Sequence, residues 1–107
     1  MTLHEVTAEL LQSNIPPGKL SEHRLWLSAH YSYLAQKMEE VLIHKPTKWM
    51  DIRKHAQSDK QADMEWEQTE EGQIEFKCKW QMKATDKLLS GINSRLRTME
   101  NEARNQY

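Results

Sequence analysis

Spacing decides which of the reactive side chains in this sequence can act together. Of the five histidines, His23 and His30 share a helix face. Two turns put them about 10 Å apart, too far to hold one metal ion. No His-Glu-x-x-His motif occurs. His55, Asp59 and Asp63 fall at steps of four, and Glu67 extends the row. A His-x-x-x-Asp pair can ligate a divalent metal. Four polar residues at this period are also what a wet helix face looks like, and that is the reading adopted here.

Nucleophilic and phosphate chemistry find less support. Cys78 stands on an apolar stripe between Lys77 and Lys79, whose side chains point away from it, so it reads as a buried structural thiol. The three glycines make no phosphate-cradling loop, because Gly18-Lys19 follows two prolines and lacks the earlier glycine of a P-loop. The expectation is therefore no enzyme, with no catalytic, cofactor-binding or metal residue assigned.

Two binding constellations are left. Lys79, Lys83 and Lys87 form an i, i+4 stripe, and Arg95, Arg97 and Arg104 extend it. Phe76 and Trp80 interleave aromatic rings, a combination suited to stacking on single-stranded nucleic acid. However, a tryptophan at heptad spacing is commonly core, and no helix-turn-helix or zinc signature accompanies the stripe. The second constellation is Trp26, Trp49, Trp66 and Trp80. A thin helical hairpin cannot cover four indoles, and tryptophan is enriched at binding hot spots. Whether these rings meet a partner or fill a self-assembled core, both readings imply protein–protein contact.

The elements that must position these residues are bounded by length and composition. With 107 residues the chain suits one domain, and 37% apolar content makes for a thin core. A net charge of −1 gives the whole chain no electrostatic pull toward nucleic acid. Its distribution is uneven. Asp59 to Glu75 carries Asp59, Asp63, Glu65, Glu67, Glu70, Glu71 and Glu75 against Lys60 alone. Phe76 onward carries Lys77, Lys79, Lys83, Lys87, Arg95, Arg97 and Arg104 against Asp86, Glu100 and Glu102. Such a dipole could pair one copy with another, or be an ordinary solvated helix surface. The single cysteine, the lack of an apparent signal peptide and the lack of a long apolar run point to a cytoplasmic protein without a membrane span.

Thr2-Leu3-His4-Glu5 has the form of a capping box and opens a short helix to about Ser13, ended by Pro16-Pro17-Gly18. A central helix over 20–45 follows, with Ser21 as its cap. Leu20, Arg24, Leu27, Tyr31, Leu34, Met38 and Val41 are its seam, and Pro46 closes it. Thr47 to Gln57 forms an uncertain shorter piece. Ser58-Asp59-Lys60-Gln61 is a second capping box, opening a long C-terminal helix over 58–106.

Within that helix, Ile74 to Met82 alternates apolar and polar residues, which is a strand signal. A hairpin at 62–82 is the alternative. Lys, Glu, Gln and Met favour helix, and only Ile74 is β-branched there. Read as helix, the segment has two apolar sides. Ala62, Trp66, Thr69, Gln73, Phe76 and Trp80 make one, and Cys78, Met82, Thr85, Leu89, Ile92, Leu96, Met99 and Ala103 make the other. Gly72 is the expected break or bend, and Gly91 an expected notch.

In the C-terminal half, Ala62-Asp63-Met64-Glu65-Trp66-Glu67-Gln68-Thr69-Glu70-Glu71-Gly72 is followed by Lys83-Ala84-x-x-Lys87-Leu88-x-Ser90. Arg95-Leu96 and Glu102-Ala103-Arg104-Asn105 come after them. Over about the last fifty residues the chain resembles small uncharacterised helical proteins of bacteriophages and prophages. The resemblance implies a phage accessory role near recombination, replication or host-takeover genes, in the host bacterial cytoplasm. It implies no reaction and no site residues.

The expected fold is all-α. A helical hairpin or bundle has a long, coiled-coil-like C-terminal helix antiparallel to the central one, in a single domain that forms a homo-oligomer. Cys78, Met82, Leu89, Ile92, Leu96 and Met99 are expected to face Leu27, Tyr31, Leu34 and Met38. The expected function is non-catalytic binding and modulation of a host or phage protein, such as a defence or replication factor. The alternative is a recombination or replication accessory that binds single-stranded nucleic acid through Lys79, Lys83, Lys87, Arg95 and Arg97.

Overall fold

In a computed structural model, residues 1–105 are described and form four helices with no strand among them. These are α1 (Leu3–Leu10), α2 (Pro17–Arg53), α3 (Asp59–Gln68) and α4 (Glu70–Asn105). The chain is all-α, and the hairpin alternative at 62–82 is overturned. Its alternation was the outcome of two helix faces being apolar, in residues whose propensities favour helix. Position 106 of the expected C-terminal helix lies outside the described residues.

The helices divide between two compact units, Met1–Ser32 with the described residues from Lys83 on, and Tyr33–Met82. In the first, Thr2 and Glu5 close the expected capping box, each side chain bonding the other's backbone N–H at 3.2 Å. Val6 and Leu10 then join Ile15, Leu20, Leu27 and Ile92 in the core, with Trp26, Leu88, Leu89, Leu96 and Met99 packed against them. Arg95 donates to the Leu10 carbonyl at 2.8 Å, satisfying an acceptor at the end of α1 with a cation. His23, fully buried, occupies the seam position expected for Arg24, which is exposed. The alternation of threes and fours is kept with its phase moved by one residue. Likewise His30 is half-buried where Tyr31, expected in the seam, is exposed.

The second unit corrects three helix boundaries or their causes. Pro46 does not end the central helix, which was expected over 20–45 and runs from Pro17 to Arg53. Proline is well placed at the first helical position, where its missing N–H has no intrahelical partner in any case. Inside the helix Pro46 removes the donor to the Leu42 carbonyl, at a cost of about 3 kcal/mol. The residues beyond it offset that cost, because Trp49 and Ile52, like Lys45 before it, turn inward on the same side as buried Leu34 and Val41. Packing overrides local preference here.

At the next corner Arg53 donates to Asp59 at 2.6 Å and to the Ala56 carbonyl at 3.0 Å. Ser58 caps α3 by accepting from Gln61 N–H at 3.1 Å. The Gln61 side chain accepts from Gln57 N–H rather than from the cap residue, so the expected box is only half closed.

The expected long C-terminal helix is two helices broken at Thr69, not at Gly72. Thr69 has extended backbone angles, φ −74° and ψ 160°. Its hydroxyl donates to the Trp66 carbonyl at 2.6 Å and accepts from Gly72 N–H at 3.0 Å. One side chain thus closes α3 and caps α4, while Glu70 and Glu71 suit the positive end of the new helix. Gly72 is needed for a different reason from a bend. Its Cα lies against the backbone of α3, and a Cβ there would overlap the Trp66 carbonyl oxygen. The third glycine-based expectation resolves more simply, as Gly91 is exposed and a Cβ there would meet nothing within 4 Å.

The two glycines should therefore respond oppositely to alanine. Gly72→Ala should lose roughly 1–3 kcal/mol to overpacking at the corner. Gly91→Ala should gain about 0.5–1 kcal/mol from helix propensity. Urea denaturation followed by circular dichroism measures both, and a fully stable Gly72→Ala variant would contradict the close approach of α3 and α4.

Candidate interaction surface

The second unit is organised around a buried acid. Glu75 sits one turn into α4 and is 6% exposed. Its Oε2 accepts from the Trp66 indole N–H at 2.7 Å. Its Oε1 accepts from Lys45 at 2.9 Å and lies 3.3 Å from Lys79 Nζ. The Lys45 ammonium also stands 5.5 Å from the centroid of the Trp66 ring. Burial alone pushes the Glu75 carboxyl up. The Trp66 N–H, Lys45 and Lys79 reverse this and hold it below the ordinary carboxylate value.

Flanking contacts fix the helices that bring these groups together. Lys48 pairs with Glu71, and Lys45 with Glu75, so α2 and the start of α4 run antiparallel within this unit. Trp49 donates from its indole to Asp63 at 2.8 Å, tying α2 to α3. An open pocket of about 270 Å³ lies beside Glu75, with Lys45, Asp63, Trp66, Glu67 and Phe76 among its walls. Of the charges around it, Glu75 is paired with Lys45 and Lys79, and the Phe76 ring forms part of the wall.

That ring belongs to the most exposed aromatic feature of the unit. Phe76 and Trp80 are 58% and 59% exposed and meet edge to face, centroids 6.2 Å apart. They lie on α4 opposite Cys78 and Met82, as spacings of two and four around a helix require. Both had been expected on a covered apolar side continuous with Ala62 and Trp66. The break at Thr69 removes that continuity. Ala62 and Trp66 turn inward while Phe76 and Trp80 face water. The opposite stripe behaves as expected through Cys78, Met82, Leu89, Ile92, Leu96 and Met99, all buried or half-buried, whereas Ala103 is exposed.

The four tryptophans therefore separate. Trp66 is 3% exposed and committed to Glu75. Trp49 is half-buried and bonded to Asp63, and Trp26 is half-buried and stacked on His30 at 4.8 Å. Trp80 alone of the four is exposed.

The basic stripe is thinned in the same way. Lys79, Lys83, Lys87, Arg95 and Arg97 are all exposed, with Lys79 engaged by Glu75 and Arg95 by the Leu10 carbonyl. His55, Asp59, Asp63 and Glu67 do not act as one row, since Asp59 is taken by Arg53 and Asp63 by Trp49. No three His, Cys, Asp or Glu side chains among the described residues are placed to share a metal ion. No helix among them is long and apolar enough to cross a membrane.

Sequence reasoning missed Glu75, Lys45 and His23. Glu75 to Lys79 is a helix-stabilising i, i+4 pair and was legible as such. Its burial was not, because that depends on Trp66 arriving from another helix. Comparison with protein-family models, curated proteins and solved structures finds no match to this chain.

Because the folded carboxyl titrates below its ordinary value, Glu75 stabilises the unit above the usual carboxylate range. That contribution disappears as pH falls through the lowered folded value. Glu75→Gln should cost about 1.5–3 kcal/mol at neutral pH, the scale of hydrogen bonds to a charged group. The gap between variant and parent should close on acidification. Denaturant titrations at neutral and acidic pH measure it, and a gap that is constant with pH would contradict an ionised, stabilising Glu75.

Proposed function

We propose that this chain is a non-catalytic accessory protein of phage type that binds a host or phage protein, a defence or replication factor, and modulates it. The exposed Phe76–Trp80 pair carries this reading. Two large rings held edge to face on a rigid helix offer apolar area at little entropic cost, which is what interface anchors supply. The resemblance of the last fifty residues to phage proteins supports the accessory role. Charge placement supports a protein partner over nucleic acid, because Lys79, three residues after Phe76 and directly before Trp80, is already engaged by Glu75.

The second reading, binding of single-stranded nucleic acid, draws on the same rings with Lys77 and Lys79 beside them on α4. The basic residues it was assigned in the sequence are Lys79, Lys83, Lys87, Arg95 and Arg97. It requires an affinity for labelled oligonucleotides that falls steeply with salt and is lost on charge reversal at Lys83 and Lys87. On the favoured reading such oligonucleotides do not bind at low salt.

The favoured reading is tested by capture from bacterial host lysate on the immobilised chain, followed by affinity and activity measurements on the identified protein. Trp80→Ser and Phe76→Ser should each weaken binding by at least about 30-fold, the scale of a hot-spot residue. Both residues are exposed, so the helical signal should be unchanged. A partner bound equally well by both variants, or unaltered in activity by the wild-type chain, would refute the proposal.

A further inference from the structure

α2 carries a second apolar stripe in the Tyr33–Met82 unit, on the side away from its buried seam. Ile43 and Met50 are 64% and 54% exposed. Seven residues apart on a helix, they lie almost in line. Pro46 and Thr47, both exposed, fall between them, and Leu42 borders the stripe. This face stands roughly 200° around the helix from Val41, so it cannot share in the packing that buries Val41, Lys45 and Trp49. The sequence reading took the inner seam of this helix with Trp26, Tyr33 and Leu42 flanking it, and gave no role to Ile43 and Met50.

Charge gives the stripe a direction. Exposed Glu39 and Glu40 stand one turn before Ile43, and exposed Lys54 stands one turn after Met50. The pattern is self-complementary about a point between Pro46 and Thr47. Two copies laid antiparallel there would set Ile43 against Met50, Pro46 against Thr47, and Glu39 against Lys54, each contact made twice. A parallel pairing would set Glu39 against Glu39 and Lys54 against Lys54, which like charges oppose. Lys54, the first residue past the end of α2, lies 3.7 Å from Asp51, an exposed i, i+3 pair of little strength.

We propose that this stripe is a homodimer interface, occupied by the same stripe of a second copy in antiparallel, two-fold register. It is separate from the Phe76–Trp80 pair and does not depend on the binding function assigned to that pair. Dimerisation presents two copies of the aromatic pair, so a partner with two sites would be held by avidity. The apolar area involved is small, and the dimer is correspondingly weak and concentration-dependent.

Sedimentation equilibrium of the full chain over a wide concentration range tests this. The wild-type chain should show monomer–dimer exchange, and Ile43→Glu with Met50→Glu should abolish it while leaving circular dichroism unchanged, and thermal unfolding unchanged at dilutions where the parent is monomeric. Glu39→Lys and Lys54→Glu should each weaken association roughly ten-fold, since two-fold symmetry repeats the lost contact. The two together should restore it. A chain monomeric at millimolar concentration would overturn the proposal, as would a dimer indifferent to Ile43→Glu with Met50→Glu. A dimer lost on Trp80→Ser, or charge reversals that are not rescued in combination, would overturn it too.

Discussion

The Tyr33–Met82 unit depends on burying one ionised carboxylate and satisfying it completely. Removing a carboxylate from water costs several kcal/mol unless hydrogen bonds and opposite charge replace the lost hydration. Glu75 receives an indole N–H and two ammonium groups, drawn from α3, α2 and its own helix. Such a group specifies geometry in a way that apolar burial does not. Leucine in that place would tolerate helices slipping by a turn, whereas the carboxylate is satisfied only when Trp66 and Lys45 arrive together. Apolar burial in this unit is sparse, with Leu34, Val41, Ala56, Ala62, Trp66 and Cys78 below the surface. A polar lock of this kind offsets what a small core leaves undetermined.

The corner between α3 and α4 follows from that lock. For the Trp66 indole to reach Glu75, nine residues on, the chain must fold back on itself within one turn of helix. An unbroken helix would carry the two residues about 13 Å apart along its axis. Thr69 supplies the stop and the restart, and Gly72 lets the new helix pass against the carbonyl of Trp66. The two residues answer different needs, one for hydrogen bonds and one for space.

How much of this was legible in the sequence varied with the range of the interaction. Thr2 with Glu5 and Ser58 with Gln61 were readable because a cap is decided within four residues. The inner stripe from Cys78 to Met99 was readable because helical spacing survives whatever covers it. Thr69-Glu70-Glu71 carried the marks of a helix start, a threonine followed by two acids, but the apolar spacing on either side ran through it and hid the break. Pro46 misled in the opposite direction. The local rule that a proline ends a helix is worth a few kcal/mol, and the inward-facing residues beyond Pro46 outweigh it. Periodicity also left a phase uncertainty of one residue, enough to exchange His23 with Arg24. His23 is fully enclosed with its Nε2 2.5 Å from Glu9 Oε2, out of hydrogen-bond alignment. Nothing in the pattern of Leu20, Leu27 and Leu34 distinguishes a buried imidazole from a snorkelling guanidinium one position later.

The candidate surface was legible as residues and illegible as a surface. All four indoles could be named, but only tertiary structure sorts them, and it does so by giving each inward indole a partner. Trp66 has Glu75, Trp49 has Asp63, and Trp26 has His30 to stack on. A tryptophan with a bonded N–H or a stacked ring holds the protein together, and its replacement unsettles the fold before it affects any partner. Trp80 is different in kind, because its ring and that of Phe76 lie largely in water. Water exposure of two large rings is unfavourable by roughly 25 cal/mol for each Å² of apolar surface. A helix needs neither ring for its own stability, since alanine or lysine serves better at exposed positions. The two rings therefore carry a hydration cost, which the proposed contact with another surface would offset.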